Sequence, residues 1–234
     1  MDWGPLLPDE VSSAGDEHLD RDYVAAYDRK AAVDPAEDLA LLRNHGLGSE
    51  STLVDFGGGT GTLALAAAPY CRRVVVVDVS SEMIAATRQK ADQLGVANVE
   101  CVQSGFLRYE HHGSPADVVY SRNALHHLPD FWKALALQRI VQMLRPGGYL
   151  RLRDLVFAFD PAEAERFIGA WLAAAPTRSE DGWTRSELEA HLRSEHSTFS
   201  WLLEPMLERA GFVIEEAEYG SERVFASYLC VKPA

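Results

Sequence analysis

The chain has 234 residues, a formal net charge of −13 and a pI near 5.0. That length can bury a full core as one domain, and that charge disfavours any partner held by neutralising phosphates, so large nucleic acids are excluded as expected partners. Three cysteines, Cys71, Cys101 and Cys230, with no C-x-x-C pair, argue for reduced thiols, and the absence of a signal-peptide pattern or a membrane-length apolar run argues for a cytoplasmic chain with no membrane partner.

In chain order, residues 1–18 carry Pro5, Pro8, Gly15 and several acids without an apolar period, and read as a mobile N-terminal arm. Leu19, Tyr23, Ala26 and Tyr27 then recur at helical spacing, with Asp20 available as a cap. Asp34-Pro35-Ala36-Glu37 is a capping box for a second helix, ended by Gly46 or Gly48. Leu53 to Thr62, LVDFGGGTGT, is a buried strand ending near an acid, a sharp turn and a helix start. Without a Cβ at Gly57, Gly59 or Gly61, the backbone can take positive φ and lie against a ligand, while the N–H groups of the next helix face the same spot. The spacing is G-x-G-x-G, not the G-x-G-x-x-G of dinucleotide sites, and the Asp55 carboxylate repels phosphate and suits an ammonium group.

A short helix closed by Pro69 precedes RVVVVDV, whose valines predict a strand buried on both faces. Asp78 lies at its carboxyl end, seventeen residues past Gly61. That is close to the offset at which an acid in this architecture accepts both ribose hydroxyls. Ser80-Ser81-Glu82 opens a helix with Ile84, Thr87, Ala91 and Leu94 on one face, closed by Gly95. A strand over Val99–Gln103 leads into Ser104-Gly105-Phe106. A fourth strand, Asp117 to Ser121, runs into RNALHHLPD, and residues just past strand ends line the crevice of an open α/β sheet, which places Ser121, Asn123, His126 and His127 there. Asp130 is expected to cap a helix buried through Trp132, Ala136, Ile140 and Met143, stopped at RPGG; Tyr149 to Arg153 is a fifth strand with arginines on one face, and Asp154 ends it facing the cleft. Beyond it come a capping box at Asp160–Glu163, an amphipathic helix through Trp171, a second capping box at Thr184 and Glu187, and a helix from Trp201 broken or kinked at Pro205. Two strands, Val213 to Glu218 and Phe225 to Val231, close the chain as an antiparallel pair.

VDFGGGTG, the LHHL after the fourth strand and LRPGGYLRLRD, in that order and with Asp78 between, resemble the class I S-adenosylmethionine (SAM)-dependent methyltransferases of the small-molecule type. The resemblance covers roughly Leu53 to Asp154. It implies an α/β, doubly wound, mostly parallel seven-stranded sheet with an antiparallel last strand, in a single domain over residues 19–234. Within that domain, residues 160–205 form a helical substrate-side insertion. It also implies SAM as cofactor and S-adenosylhomocysteine as product, held by Tyr27 on a covering N-terminal helix, Asp55, Gly57, Gly59, Gly61, Asp78, Val79, Met83 over the adenine, Gly105, Phe106, Ser121 and Asn123. Relatives often carry an Asp for the adenine amino group where this chain has Gly105, which puts one base contact in doubt.

Methyl transfer needs an aligned nucleophile, and a base only when that nucleophile arrives protonated. The candidates are His127 and His126, with Asp154 orienting an imidazole or binding substrate. The expected function is SAM-dependent methylation of a small-molecule metabolite on O, N or C; the alternatives are a protein or tRNA methyltransferase, a SAM-binding protein without catalysis, and a nicotinamide oxidoreductase. Trp171, Trp183 and Trp201 are candidate substrate walls, with core packing as the default. No metal is expected, because His191 and His196 are five apart and His126 and His127 are adjacent. Substrate identity and oligomeric state do not follow from these residues.

Overall fold

Val74 to Val77 are at most 1% exposed, which is what four consecutive valines require: a strand covered on both faces. The computed structural model describes residues 4–15 and 19–234. Strand β1 (Thr52–Phe56) pairs in parallel with β2 (Arg73–Asp78) and β4 (Ala116–Arg122); β2 also pairs in parallel with β3 (Val99–Gln103), and β4 with β5 (Leu144–Phe157). A two-residue strand, β6 (Thr198–Phe199), adds a short parallel ladder on Val156 and Phe157. Strand β8 (Phe225–Val231) lies antiparallel between β5 and β7 (Val213–Tyr219), so the sheet order is β3-β2-β1-β4-β5-β8-β7. The expected seven strands form this path, and β6 is an addition beside it among the described residues.

Helices α1 (Arg21–Ala31) and α2 (Ala36–Asn44) precede β1, while α3 (Thr62–Ala67), α4 (Ser81–Leu94) and α5 (Asp130–Met143) connect β1 to β2, β2 to β3 and β4 to β5. Helices α6 (Ala164–Ala173), α7 (Arg185–Ser194) and α8 (Ser200–Ala210) fill the insertion between β5 and β7. The period of two along each strand divides the core: Val54, Phe56, Val75 and Val77 pack on one face with Leu150 and Leu152, while Leu53, Val74, Val76 and Val118 pack on the other. The chain leaves β1 toward β2 and β3, then returns to β4 on the opposite side. The strand order therefore reverses between β1 and β4, where an open sheet leaves a crevice.

Several local expectations change. Helix α2 begins at Ala36 after an N-cap at Pro35 with no side-chain cap, and Asp34 Oδ1 accepts from the Ala36 N–H instead. Asp130 is inside α5 after Pro129; its carboxylate accepts from Lys133 Nζ at 2.8 Å and Thr198 Oγ1 at 3.2 Å instead of capping. Asp160 caps a single 3-10 turn before α6. Leu94 is exposed, because its stripe ends where Gly95, at φ +66°, turns the chain away. Helix α8 continues through Pro205, and the carbonyl that loses a helical donor there is that of Trp201, an exposed residue. Strand β5 runs three residues past Asp154, which is thus within the strand and 2% exposed.

The expected arm takes only two single turns among its described residues, Gly4–Leu6 and Ser12–Ala14, yet Glu10 and Ala14 are buried. Arg108 Nη1 donates to the Pro8 carbonyl at 2.7 Å, holding this segment over the strand ends. Residues 1–3 and 16–18 lie outside the described residues.

Candidate active site

The carboxyl ends of β1, β2 and β4 converge on a cleft, the place where an open α/β sheet binds ligands. Gly57 and Gly59 line it at φ +64° and +54°, a backbone that a side chain rarely adopts. A Cβ at Gly57 would lie 2.2 Å from that of Ala124, so only glycine lets the turn pass under the loop after β4. Asp78, at the end of β2, accepts the Gly59 N–H on Oδ2 and the Ser80 N–H on Oδ1, both at 2.9 Å. A carboxylate offers about four lone-pair directions, so an acid at this strand end is chemically suited to accept ligand hydroxyls. Ser80 in turn caps α4 by accepting the Met83 N–H, which sets Met83 on the cleft wall.

Tyr27 reaches the cleft from α1, whose start is fixed by Asp20 accepting the Tyr23 N–H. Burial and the nearby Asp78 charge push the Tyr27 hydroxyl above its ordinary pKa, so it stays a neutral donor. Val79, Gly105, Phe106, Asn123 and His127 complete the predicted residues that the cleft brings together. Phe106 stacks on Phe56 at 4.9 Å between ring centroids. Asn123 has φ +52°, and its Oδ1 is buried with no hydrogen-bond partner among the described residues.

Asp55, Gly61, Ser121, His126 and Asp154 stand behind the cleft wall, outside its lining. Asp55 is 2% exposed, and burial with the neighbouring Asp78 and Asp38 charges pushes its carboxyl up to about 8. Gly61 serves packing: a Cβ there would lie 2.6 Å from Thr87 Cγ2. None of Trp171, Trp183 and Trp201 lines the cleft; Trp171 packs with Leu155, Phe159 and Val224, and Trp201 is exposed.

His126 and His127 occupy a single 3-10 turn, Leu125–His127, pinned by Asp154, whose Oδ2 accepts the Leu125 N–H at 2.8 Å and the His126 N–H at 3.2 Å. Asp154 Oδ1 meets His126 Nδ1, and Glu195 Oε2 lies 2.9 Å from His126 Nε2. Burial works against charge on this ring, but the two carboxylates outweigh it and hold its pKa up to about 9. Burial likewise opposes the Asp154 charge, and His126 outweighs it, so Asp154 titrates below the usual range. His191 Nδ1 is 2.5 Å from Glu195 Oε2, and the His126 and His127 rings are 4.3 Å apart.

Sequence reasoning missed two contributors. Glu195 follows α7 and is held at the turn because the His196 N–H donates to the His126 carbonyl at 2.9 Å and buried Lys133 donates to the His196 carbonyl. Glu10 lines the cleft from the N-terminal segment, its carboxyl accepting the Leu107 N–H at 3.2 Å; burial raises its pKa against the pull of that bond and of Arg108. A Cβ at Gly105 would lie 2.3 Å from the Glu10 carboxyl carbon, so this acid fills the space that glycine vacates. Neither had a local signal, since each depends on contact across a long stretch of sequence.

A bare glycine turn, an acid beside it at a strand end, a buried amide oxygen without a partner among the described residues and a stacked aromatic pair fit a ligand combining an amino-acid tail with a nucleoside. Residues 53–148 match the family model described as methyltransferase domain. The chain is 30% identical over 126 residues to an uncharacterized methyltransferase, YcgJ, of Bacillus subtilis, covering 53% of this chain and 49% of that one. It thus spans about half the length of that relative. It is 27% identical over 199 residues to an uncharacterized methyltransferase of Geobacillus kaustophilus, covering 79% and 85%. Among solved structures, the N-methyltransferase NodS of Bradyrhizobium japonicum in complex with S-adenosyl-L-homocysteine shares the fold, with a TM-score of 0.59, 17% identity and coverage of 85% and 87%. Residues 53–148 thus match a methyltransferase domain, and in its sheet the chain is similar to the SAM-dependent methyltransferases, the family in which SAM is the cofactor.

Proposed function

We propose that the chain methylates a small molecule taken into the cleft beside His127. The observation that carries this reading is the cover: Glu10, Ser13 and Ala14 of the N-terminal segment and Tyr27 of α1 all stand on the cleft wall, an arrangement that favours a small acceptor. The net charge of −13 supports the same reading against tRNA.

SAM supplies an electrophilic methyl group on a sulfonium. The chain's residues do the positioning, which is the larger part of catalysis in such a transfer, worth about 7–11 kcal/mol when alignment is complete. Gly57 and Gly59 offer backbone to the amino-acid tail, Asp78 accepts the ribose hydroxyls, and Met83, Phe106 and Glu10 enclose the base. His127 is the imidazole on the cleft wall and receives the acceptor's proton; His126 and Asp154, behind it, are positioning residues that fix the turn. Asp55, Gly61 and Ser121 support the turn and the strand ends from behind.

The test is transfer of labelled methyl from SAM into a metabolite extract, a protein fraction and an RNA fraction, each with wild type and His127→Ala. Label in the metabolite fraction, reduced about 100-fold or more in the variant, is expected for a general base. Label confined to protein or RNA overturns the small-molecule reading, and undiminished transfer by the variant removes His127 as base.

A further inference from the structure

The cluster behind the cleft holds more ligating groups than proton transfer needs. His126, His127 and Glu195 each offer one ligand atom, and these atoms lie within 4.8 Å of one another. Glu195 Oε2 is 2.9 Å from His126 Nε2 and 3.8 Å from His127 Nδ1. Donors bound to a tetrahedral zinc ion at about 2.0–2.2 Å sit roughly 3.3 Å apart, so the two observed separations bracket the required one. The surrounding contacts have the form of an outer shell. Asp154 holds Nδ1 of His126 and so turns its Nε2 toward the cluster, as carboxylates do for metal-bound imidazoles; His191 holds Glu195, and Ser197 Oγ holds the far nitrogen of His191 at 2.8 Å. The expectation of no metal weighed only histidine spacing along the chain, and the carboxylate that joins the histidines comes from beyond α7.

We propose that His126, His127 and Glu195 bind one divalent first-row transition ion, with zinc the expected occupant, at the edge of the substrate cleft. Two imidazoles and one carboxylate leave a coordination position open, the pattern of reactive rather than structural sites. His127 belongs to both the cluster and the cleft wall, so that position faces the acceptor. This deepens the proposed reaction and rests on it for the role of the ion, though not for its binding. With the ion in place, His127 is a ligand, and this replaces the base role that it has in the metal-free site. The acceptor's oxygen or sulfur coordinates as its proton leaves to solvent, which points to substrates with an ionisable hydroxyl or thiol.

Protein freed of its affinity tag and of metal by a chelator is titrated with Zn2+ by calorimetry and with Co2+ by visible absorption. One equivalent of each is expected, with the intense visible band of low-coordinate cobalt. Glu195→Gln should weaken Zn2+ binding at least tenfold, and His191→Gln, which acts through Glu195, by about 10-fold. SAM calorimetry on the same samples reports folding, since neither Glu195 nor His191 lines the cofactor cleft. If SAM binds but neither metal does, or if Glu195→Gln binds Zn2+ as tightly as wild type, the metal site is overturned while the methyltransferase reading stands. Metal binding without SAM binding has the opposite meaning.

Discussion

The Gly59 N–H donates to Asp78 Oδ2 at 2.9 Å, tying the glycine turn after β1 to the carboxyl end of β2. One carboxylate thus sets the shape of the turn and also stands on the cleft wall. Asp78→Ala should weaken SAM binding by about 10–100-fold, the value of losing one or two hydrogen bonds to a charged group, and Asp78→Asn by less, because it keeps one acceptor. Calorimetry with SAM measures both; unchanged affinity in Asp78→Ala would place the nucleoside elsewhere.

Glu10 and Gly105 share one space, and that makes a paired experiment possible. Glu10→Ala should cost about 5–10-fold in SAM affinity through loss of an acceptor at the base end of the cleft. Gly105→Asp alone should do worse, since its Cβ would collide with the Glu10 carboxyl group. Combined with Glu10→Ala it should regain affinity, because the new carboxylate occupies the emptied space. Additive losses in the double variant would show that the two positions do not exchange roles.

Asp38 illustrates a charge that is structural. It accepts from the Tyr120 hydroxyl at 2.7 Å and from Arg122 Nη1 and Arg151 Nε at 3.2 Å, and both Asp38 and Arg151 are 5% exposed. Removing one member of a buried pair leaves the other uncompensated, so Asp38→Ala should destabilise the fold by about 3–5 kcal/mol in urea unfolding, with SAM affinity preserved in the folded fraction.

These residues show what can be read from the sequence and what cannot. The valine run, the glycine turn and Asp78 are legible because burial on both faces, positive φ and a strand end each leave a local mark. The arginines on one face of β5 are legible from their alternation, and Asp38 covers that face at Arg151. Glu10 and Glu195 were illegible because their neighbours lie about a hundred and about seventy residues away, joined by a backbone N–H and a carbonyl that any residue type could offer. Asp154 was placed in the correct strand, but three further residues of pairing with β8 and β6 carry that strand on, which turns a supposed cleft residue into the anchor of the histidine turn.

Asp55 yields the pH prediction. Its carboxyl is pushed up to about 8 in the fold, against an ordinary value of about 3.9 in the unfolded chain. Between those values the native state holds a proton that the unfolded state has released, so stability falls as pH rises from about 4 to about 8 and the loss is complete above that. Asp55→Asn keeps an oxygen acceptor of the same shape but cannot ionise. The variant should therefore lack this decline and exceed wild type by about 1–3 kcal/mol at pH 8.5, the scale of a buried polar group left without compensation, while the two converge near pH 4. Unfolding by urea at several pH values measures it. A wild-type profile parallel to that of the variant would mean that Asp55 is ionised in the fold and supported by a group other than its acidic neighbours.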